Sequence, residues 1–274
     1  MYANTLLIPD PSIYTEETGT RHKSAERFAK QTGEVVVCIS QRRNIITLYK
    51  ASRKYILKDT SAILTRANQA LQTLEKYIAV LQNTSNNLSI LEFEDNVTLN
   101  DVAIVIQRTE MVMRVVGEIE RYICELGNEG RLLNLQLDEL MADVEEDGRF
   151  VIEDYMAHHD DIDADDVLKR ISTFANDELM NLTYICHALG FYKSTGASEL
   201  CIYPKGFRIL SKVPRLPMTI ARKLIDEFGC LREISKASIE QLDEVEGIGE
   251  LRARAIKEGL RRVREQVMLE NRII

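Results

Sequence analysis

From Ser61 onward apolar residues recur every three or four positions (Ile63, Ala67, Leu71, Leu74, Ile78, Leu81) in a stretch without Gly or Pro. That period, with a single apolar stripe, predicts one amphipathic helix. A second, longer helix is predicted from Thr98, spaced from Asp101 as in a capping box. It runs through Val102, Val105, Val112, Val116, Ile119 and Ile123 to a stop at Gly127. Helical patterns continue in "LLNLQLDELMADV", "FVIEDYMAH" and "DVLKRISTFANDELMNLTYICHALGF". Residues 61 to about 192 therefore read as an all-helical middle, a bundle or an elongated spacer.

Ahead of that middle the pattern shortens. Ala25, Phe28 and Ala29 mark the apolar stripe of a short helix that Gly33 stops. "EVVVCIS" (34–40) and "IITLYK" (45–50) read as two strands joined by "QRRN", with "YILKD" (55–59) a weaker third. This mixed α and β segment has too few strands to close a core unaided. Beyond the middle, Pro and Gly return in "YPKGFRILSKVPRLP" and mark a boundary near residue 205. A weak repeat follows. Val213, Leu216, Pro217, Ala221 and Leu224 are matched 32 positions later by Val245, Ile248, Gly249, Ala253 and Ile256, which implies two similar helix-turn-helix units.

Composition narrows the class. Over 274 residues the apolar fraction of 45% is that of an ordinary globular protein. No apolar run approaches the roughly 20 residues of a membrane span, and the N-terminus does not read as a signal, so a cytoplasmic protein without a membrane partner is expected. Five cysteines, an odd count without CxxC spacing, predict buried free thiols rather than disulfides or a zinc site. The net charge of -8 argues against a chain that coats nucleic acid along its length. Residues 206–274, however, hold 14 Lys and Arg against 11 Asp and Glu, a local +3, which leaves -11 for residues 1–205. That modest excess suggests local phosphate grips rather than a broad basic surface.

Two places could hold phosphate. In "EVEGIGELRARAIKEGL", Gly247 and Gly249 flank Ile248 just before a helix. Glycine permits a tight turn and a close backbone approach, and the N–H groups leading into a helix N-terminus face an anion. Ile248 would plug the core between helices, and Arg252, Arg254 and Lys257 would place cations within a turn or two. The spacing resembles the helix-hairpin-helix motif, which grips a phosphate backbone without reading bases; a plain sharp connection between helices is the alternative. The first unit has Pro217 in place of Gly249 and lacks one backbone donor, so it is expected to bind less well unless Arg215 and Arg222 compensate.

The other place is "TGTRHKSAERFAKQTG", where Arg21, His22 and Lys23 crowd a helix entry behind the cap candidates Thr18, Gly19 and Thr20. Cations at the positive end of a helix dipole are unfavourable without a counter-anion, and a triphosphate would supply one. Pairing with Glu16, Glu17 or Glu26 is the other reading. Two further features carry no assigned chemistry. "HHDDIDADD" fails as a calcium loop, having Asp166 and Ser172 where glycine and a bidentate Glu are needed; it reads as a solvated acidic loop whose Asp165 or Asp166 caps the next helix. His187, within "YICHALGF", reads as a half-buried imidazole.

Together, "TGTRHKSAERFAKQTG", "EVVVCISQRRNIITLYK", "LTRANQALQTLEKY", "VPRLPMTIARKLIDEFG" and "VEGIGELRARAIKEGL" resemble the DisA family of bacterial diadenylate cyclases, in the same order and over essentially the whole chain. The resemblance implies a mostly helical α+β protein. A partial mixed α/β cyclase domain would occupy 1–60, a helical spine 61–205, and a tandem helix-hairpin-helix DNA-binding domain 206–274. It also implies condensation of two ATP into cyclic di-AMP with Mg²⁺ or Mn²⁺, binding of branched DNA such as recombination junctions, and an octamer. Of the family's two cyclase motifs, the Arg-His-Arg falls on Arg21, His22 and Lys23, the lysine losing a planar fork. Leu7 and the stretch Thr20, Arg21, His22, Lys23 and Ser24 should then line the ATP pocket. The other motif, Asp-Gly-Ala, belongs upstream of "YANT", beyond Met1, and Asp147-Gly148 is followed by Arg149. No catalytic acid and no metal ligand is therefore assigned within these residues, and the chain is expected to be an N-terminally truncated member with little activity alone, or a DNA-binding, oligomerising remnant.

Overall fold

The structure is a computed structural model that describes residues 5–40, 45–57, 59–157, 163–192 and 200–270. It falls into two compact units, one from residues up to 70 with 119–134, the other from 71–118 with 135 onward. The described residues are mostly helical, with one small sheet among them, as the pattern predicts.

In the first unit, helix α1 (Thr20–Thr32) ends where predicted, with Gly33 left-handed (φ 74°) and its N–H bonded to the Ala29 carbonyl. Strands β1 (Val35–Ser40), β2 (Ile45–Lys50) and β3 (Arg53–Leu57) form an antiparallel sheet in that order, with Val37, Leu48 and Tyr55 in register. Side chains alternate across a strand. Val36, Cys38 and Tyr49 meet Ala25 and Ala29 of α1, while Val35, Val37 and Ile39 project from the other face, more than half exposed. The core on the α1 side thus rests on three buried residues, Ala25, Ala29 and Tyr49.

Helix α2 (Thr60–Glu94) runs well past the last residue of the predicted stripe, and all six predicted stripe residues are buried. Helix α3 (Leu99–Leu126) starts at the expected cap: Thr98 N–H donates to Asp101 Oδ2 at 3.0 Å, and Asp101 N–H to Thr98 Oγ1 at 3.3 Å. Gly127 (φ 56°) closes it into a short 3-10 turn. Helices α4 (Arg131–Met141) and α5 (Val144–Tyr155) follow. The long pattern after residue 165 breaks into α6 (Ala164–Ser172), α7 (Asn176–Met180) and α8 (Leu182–Ala188).

Two expectations are corrected. Asp163, rather than Asp165 or Asp166, caps α6, accepting the Asp166 N–H at 2.8 Å; because α6 begins at Ala164, Asp165 and Asp166 fall in its first turn, where they suit the dipole instead. Residues 158–162 of the acidic run lie outside the described residues. All five cysteines are free, but only Cys186 is buried. Cys38 and Cys230 are half-buried and Cys124 and Cys201 exposed, because an apolar neighbourhood in sequence does not fix which face a residue occupies. His187 is half-buried as expected, with its ring stacked on Tyr192 at 6.0 Å.

The C-terminal region packs α9 (Phe207–Ser211), α10 (Met218–Phe228), α11 (Leu231–Lys236), α12 (Ile239–Asp243) and α13 (Glu250–Glu270) around one core that includes Leu224, Ile234, Leu242, Ala253 and Ile256. The predicted repeat is present in three dimensions. Leu216 N–H bonds to Val213 O as Ile248 N–H does to Val245 O, and Ala221 N–H to Pro217 O as Ala253 N–H does to Gly249 O. The two hairpins press together at Gly259, where a Cβ would lie 2.5 Å from Val213 Cγ1.

A buried ionic network ties three distant segments of this unit. Arg208, fully buried, pairs with Glu92 of α2 and donates to Ser89 Oγ at 3.0 Å, and Tyr155 of α5 donates to the other Glu92 oxygen at 2.8 Å. Asp154 Oδ1 accepts the N–H groups of Gly206 and Phe207, each at 2.6 Å, and Oδ2 that of Arg208 at 3.0 Å. Its carboxylate thereby serves the orphan donors at the start of α9. Burial, with the Glu92 charge second, pushes the Asp154 carboxyl up to about 7 against those three donors.

Candidate functional site

At the entry to α1 the cap is Gly19, extended and without a side-chain bond, and no acid stands in the first turn. The first N–H groups of a helix have no intrahelical partner, and the Lys23 N–H is the first to close back, on Gly19 O at 2.8 Å. Arg21 is exposed, while His22, Lys23 and Ser24 are half-buried. Of the three carboxylates that could neutralise them, Glu16 is exposed and the other two are engaged elsewhere. Glu17 pairs with Lys54 and accepts the Tyr49 hydroxyl at 2.8 Å, and Lys54 holds it below the usual carboxylate range. Glu26 pairs with Lys30 at 2.6 Å and accepts the Thr15 hydroxyl. Among the described residues, neither Arg21 nor Lys23 forms an ion pair.

The segment ahead of α1 is laid along the helix by Arg27, which donates to Ile13 O at 2.8 Å, and by Lys30, which donates to Tyr14 O at 2.9 Å. Leu7 lies further upstream, exposed between exposed Leu6 and Ile8. No group of His, Cys, Asp or Glu among the described residues is arranged to hold a metal. With Glu17 and Glu26 committed to cations, the residues beside α1 do not fit a divalent ion.

At the second hairpin, Gly247 has φ 88°, and a Cβ there would lie 3.3 Å from Ile220 Cδ1. Gly249 opens onto free space, with no atom within 4 Å of a Cβ position, so nothing inside the protein requires glycine there. Ile248 is buried, as its plug role expects. Gly249, Arg252 and Arg215 line one shallow hollow together with Glu250, and Arg252 donates to the Gly247 carbonyl. Arg215 is the repeat partner of Gly247, and it holds the same left-handed turn (φ 63°) with a side chain attached. Arg222 turns instead to Glu153, at 3.2 Å, and over the Phe207 ring, at 5.2 Å.

Arg254 and Lys257 do not join the hollow. They stand on another flank of α13, Arg254 paired with Glu250 at 2.5 Å and Lys257 donating to Ser235 O at 2.8 Å. Sequence reading grouped them with Arg252 by proximity along the chain, whereas 100° per residue separates them. The buried Glu92, Asp154 and Arg208 were not singled out by sequence at all. In "GFRILS" the arginine reads as an ordinary polar position, and the only available signal was a lone glycine (φ 120°) before a five-residue helix.

Three family descriptions match in order: DisA bacterial checkpoint controller nucleotide-binding over residues 1–54, DisA bacterial checkpoint controller linker region over 57–198, and helix-hairpin-helix motif over 213–268. A DNA integrity scanning protein DisA of Acetivibrio thermocellus is 60% identical over 272 residues, which cover 99% of this chain and 75% of that protein. That of Clostridium kluyveri is 57% identical, with 99% and 76% covered, and that of Clostridium perfringens 53% identical, with 100% and 76% covered. With a nucleotide-binding segment, a helical linker and paired hairpins in the same succession, the chain belongs to the DisA family of bacterial DNA integrity scanning proteins.

Proposed function

We propose that residues Thr20, Arg21, His22, Lys23 and Ser24, with Leu7, form the ATP-gripping half of a diadenylate cyclase site, and that the C-terminal hairpins hold branched DNA. The observation that carries the nucleotide reading is the helix entry itself, with cations and open N–H groups while Glu17 and Glu26 are already bonded to Lys54 and Lys30. A triphosphate there would receive a fork from Arg21, a point charge from Lys23 and the α1 N–H groups. In the reaction the 3′-hydroxyl oxygen of one ATP bonds to the α-phosphorus of another, the bond to pyrophosphate breaks, and the hydroxyl proton leaves to a base. Repetition in the opposite sense closes cyclic di-AMP and releases a second pyrophosphate.

The acid and the divalent metal of that reaction are assigned outside these residues. The 274 residues contain no Asp-Gly-Ala, and about a quarter of the A. thermocellus relative has no counterpart in them. The open face of Val35, Val37 and Ile39 fits a sheet completed by other segments. The 274-residue polypeptide, incubated with ATP and Mg²⁺ or Mn²⁺, is expected to bind ATP but make little or no cyclic di-AMP. Binding should weaken in Arg21→Ala and Lys23→Ala. Turnover like that of a full-length relative overturns the assignment of the missing half, and ATP binding indifferent to both substitutions overturns the grip.

The DNA reading rests on the Gly249–Arg252–Arg215 hollow. Affinity for a four-way junction should exceed that for linear duplex and fall with salt, as phosphate contacts do. The cytoplasm and a homo-oligomer, an octamer as in the family, complete the proposal, and light scattering tests the assembly.

A further inference from the structure

Helix α13 carries a row of cations that the hairpin hollow does not use. Arg254, Lys257, Arg261 and Arg264 follow one another at steps of three, four and three residues, the spacing of a single helix face. At 1.5 Å per residue the row is about 15 Å long. All four line a groove of about 580 Å³ whose opposite wall supplies Arg232 and Lys236 of α11, over an apolar floor that includes Phe93 and Leu260. Three carboxylates, Glu92, Asp95 and Glu258, also line it. Glu92 is spent on buried Arg208, Asp95 lies 3.4 Å from Arg232, and Glu258 is bracketed by Arg261 and Arg262 at 2.9 Å each. Of the six cations along the groove, Arg254 is also paired with Glu250 at 2.5 Å and Arg261 with Glu265 at 3.1 Å, whereas among the described residues Lys236 and Arg264 have no ionic partner.

The position of the groove matters as much as its charge. Around the α13 axis the row is centred about 160° from Arg252, at 100° per residue, with the buried stripe Ala253, Ile256, Leu260 and Val263 between them. The groove and the hairpin hollow share no lining residue. A straight duplex gripped at the hollow leaves this flank untouched. A molecule that diverges from the first contact reaches both.

We propose that the α11–α13 groove binds the phosphodiester backbone of a second arm of branched DNA while the hairpin hollow holds the first. The inference rests on the DNA-binding reading above and adds to it a physical origin for junction preference. A 15 Å row matches the axial rise of about four phosphates of one strand, one charge per 3.4 Å. The arginines offer the planar forks that phosphate oxygens accept in pairs.

The test uses the 274-residue chain with a four-way junction and a linear duplex of the same sequence, each over a salt series. Lys236→Gln with Arg264→Gln should weaken junction binding about tenfold and make its salt dependence shallower by about 2, leaving the linear duplex within about twofold. Lys236→Arg with Arg264→Lys, which keeps the charge, should bind as the parent does and so separates loss of charge from loss of fold. Equal losses on junction and duplex, or no loss on either, overturn the second-arm site while leaving the hairpin reading intact. So does a polyglutamate peptide whose binding depends on Lys236 and Arg264 when junction binding does not. A parent chain without any preference for junctions overturns the hairpin reading as well.

Discussion

The two ends of this chain handle their apolar residues in opposite ways. In the C-terminal region, core residues from α9 to α13 are buried together, and even an arginine is drawn in and paired with Glu92, though its Nε finds no partner. In the N-terminal segment, three residues are buried under α1, and Val35, Val37 and Ile39 stand more than half exposed on the far side of the same sheet. A region that buries its own apolar surface holds its geometry without help. One that leaves a β-branched face open presents a surface for other segments to cover, and Arg21 and Lys23, proposed to grip the nucleotide, stand without an ion pair among the described residues. The difference teaches that the two proposed sites are unequally finished: the DNA-facing hairpins are self-supporting, whereas the nucleotide grip is one side of a shared structure.

The strongest way to break this contrast is through the buried network. Arg208→Ala leaves Glu92 buried and uncompensated and should cost about 3–5 kcal/mol in chemical denaturation. Replacing both partners with apolar residues, Arg208→Met with Glu92→Leu, should recover most of the loss. A small cost for the single substitution would mean that the C-terminal region is far less self-contained than its packing implies. The same network gives a pH signature. Asp154 titrates at about 7 when folded against the ordinary 3.8, so between those values the folded chain holds a proton that the unfolded chain releases. This contribution to stability is complete below pH 4 and lost as pH rises through 7. Asp154→Asn should flatten that slope in denaturation midpoints measured across the interval.

Next in size is Gly259→Ala, whose new methyl meets Val213 at 2.5 Å and should cost about 1–3 kcal/mol by overpacking the hairpin contact. Smaller still, Gly247→Ala forces a side chain into φ 88° and should cost about 1 kcal/mol, whereas Gly249→Ala should leave the melting temperature unchanged. That pair also sharpens the DNA reading, since weakened junction binding in a fully stable Gly249→Ala chain would report a backbone approach from outside. The smallest effect is expected on the open sheet. Val37→Thr with Ile39→Thr should alter stability within about 0.5 kcal/mol, as exposed positions do. A larger loss would show that something already covers this face in solution.

Much of this architecture was written in residue spacing. The apolar stripe of α2, the Thr98–Asp101 cap of α3, the glycine stop at Gly33 and the 32-residue hairpin repeat all follow from local periodicity and backbone chemistry. What spacing does not encode is which flank of a helix another element occupies. Arg252 and Arg254 are neighbours in the chain yet serve different concavities, and Arg208 looks like any polar helix residue until α2 closes over it. Similarly, Asp163, Asp165 and Asp166 within four residues offer three helix starts, and only the fold chooses among them.

Arg215 carries one more consequence. Glycine serves the second hairpin at the equivalent turn, while here an arginine keeps the left-handed backbone at a conformational cost of about 1–2 kcal/mol. A sequence optimised for folding alone would place glycine at both turns. With a strained, charged side chain at the rim of the hollow, thermal robustness and hold on a phosphate are set against each other at one position, so that Arg215→Gly should raise the first and weaken the second.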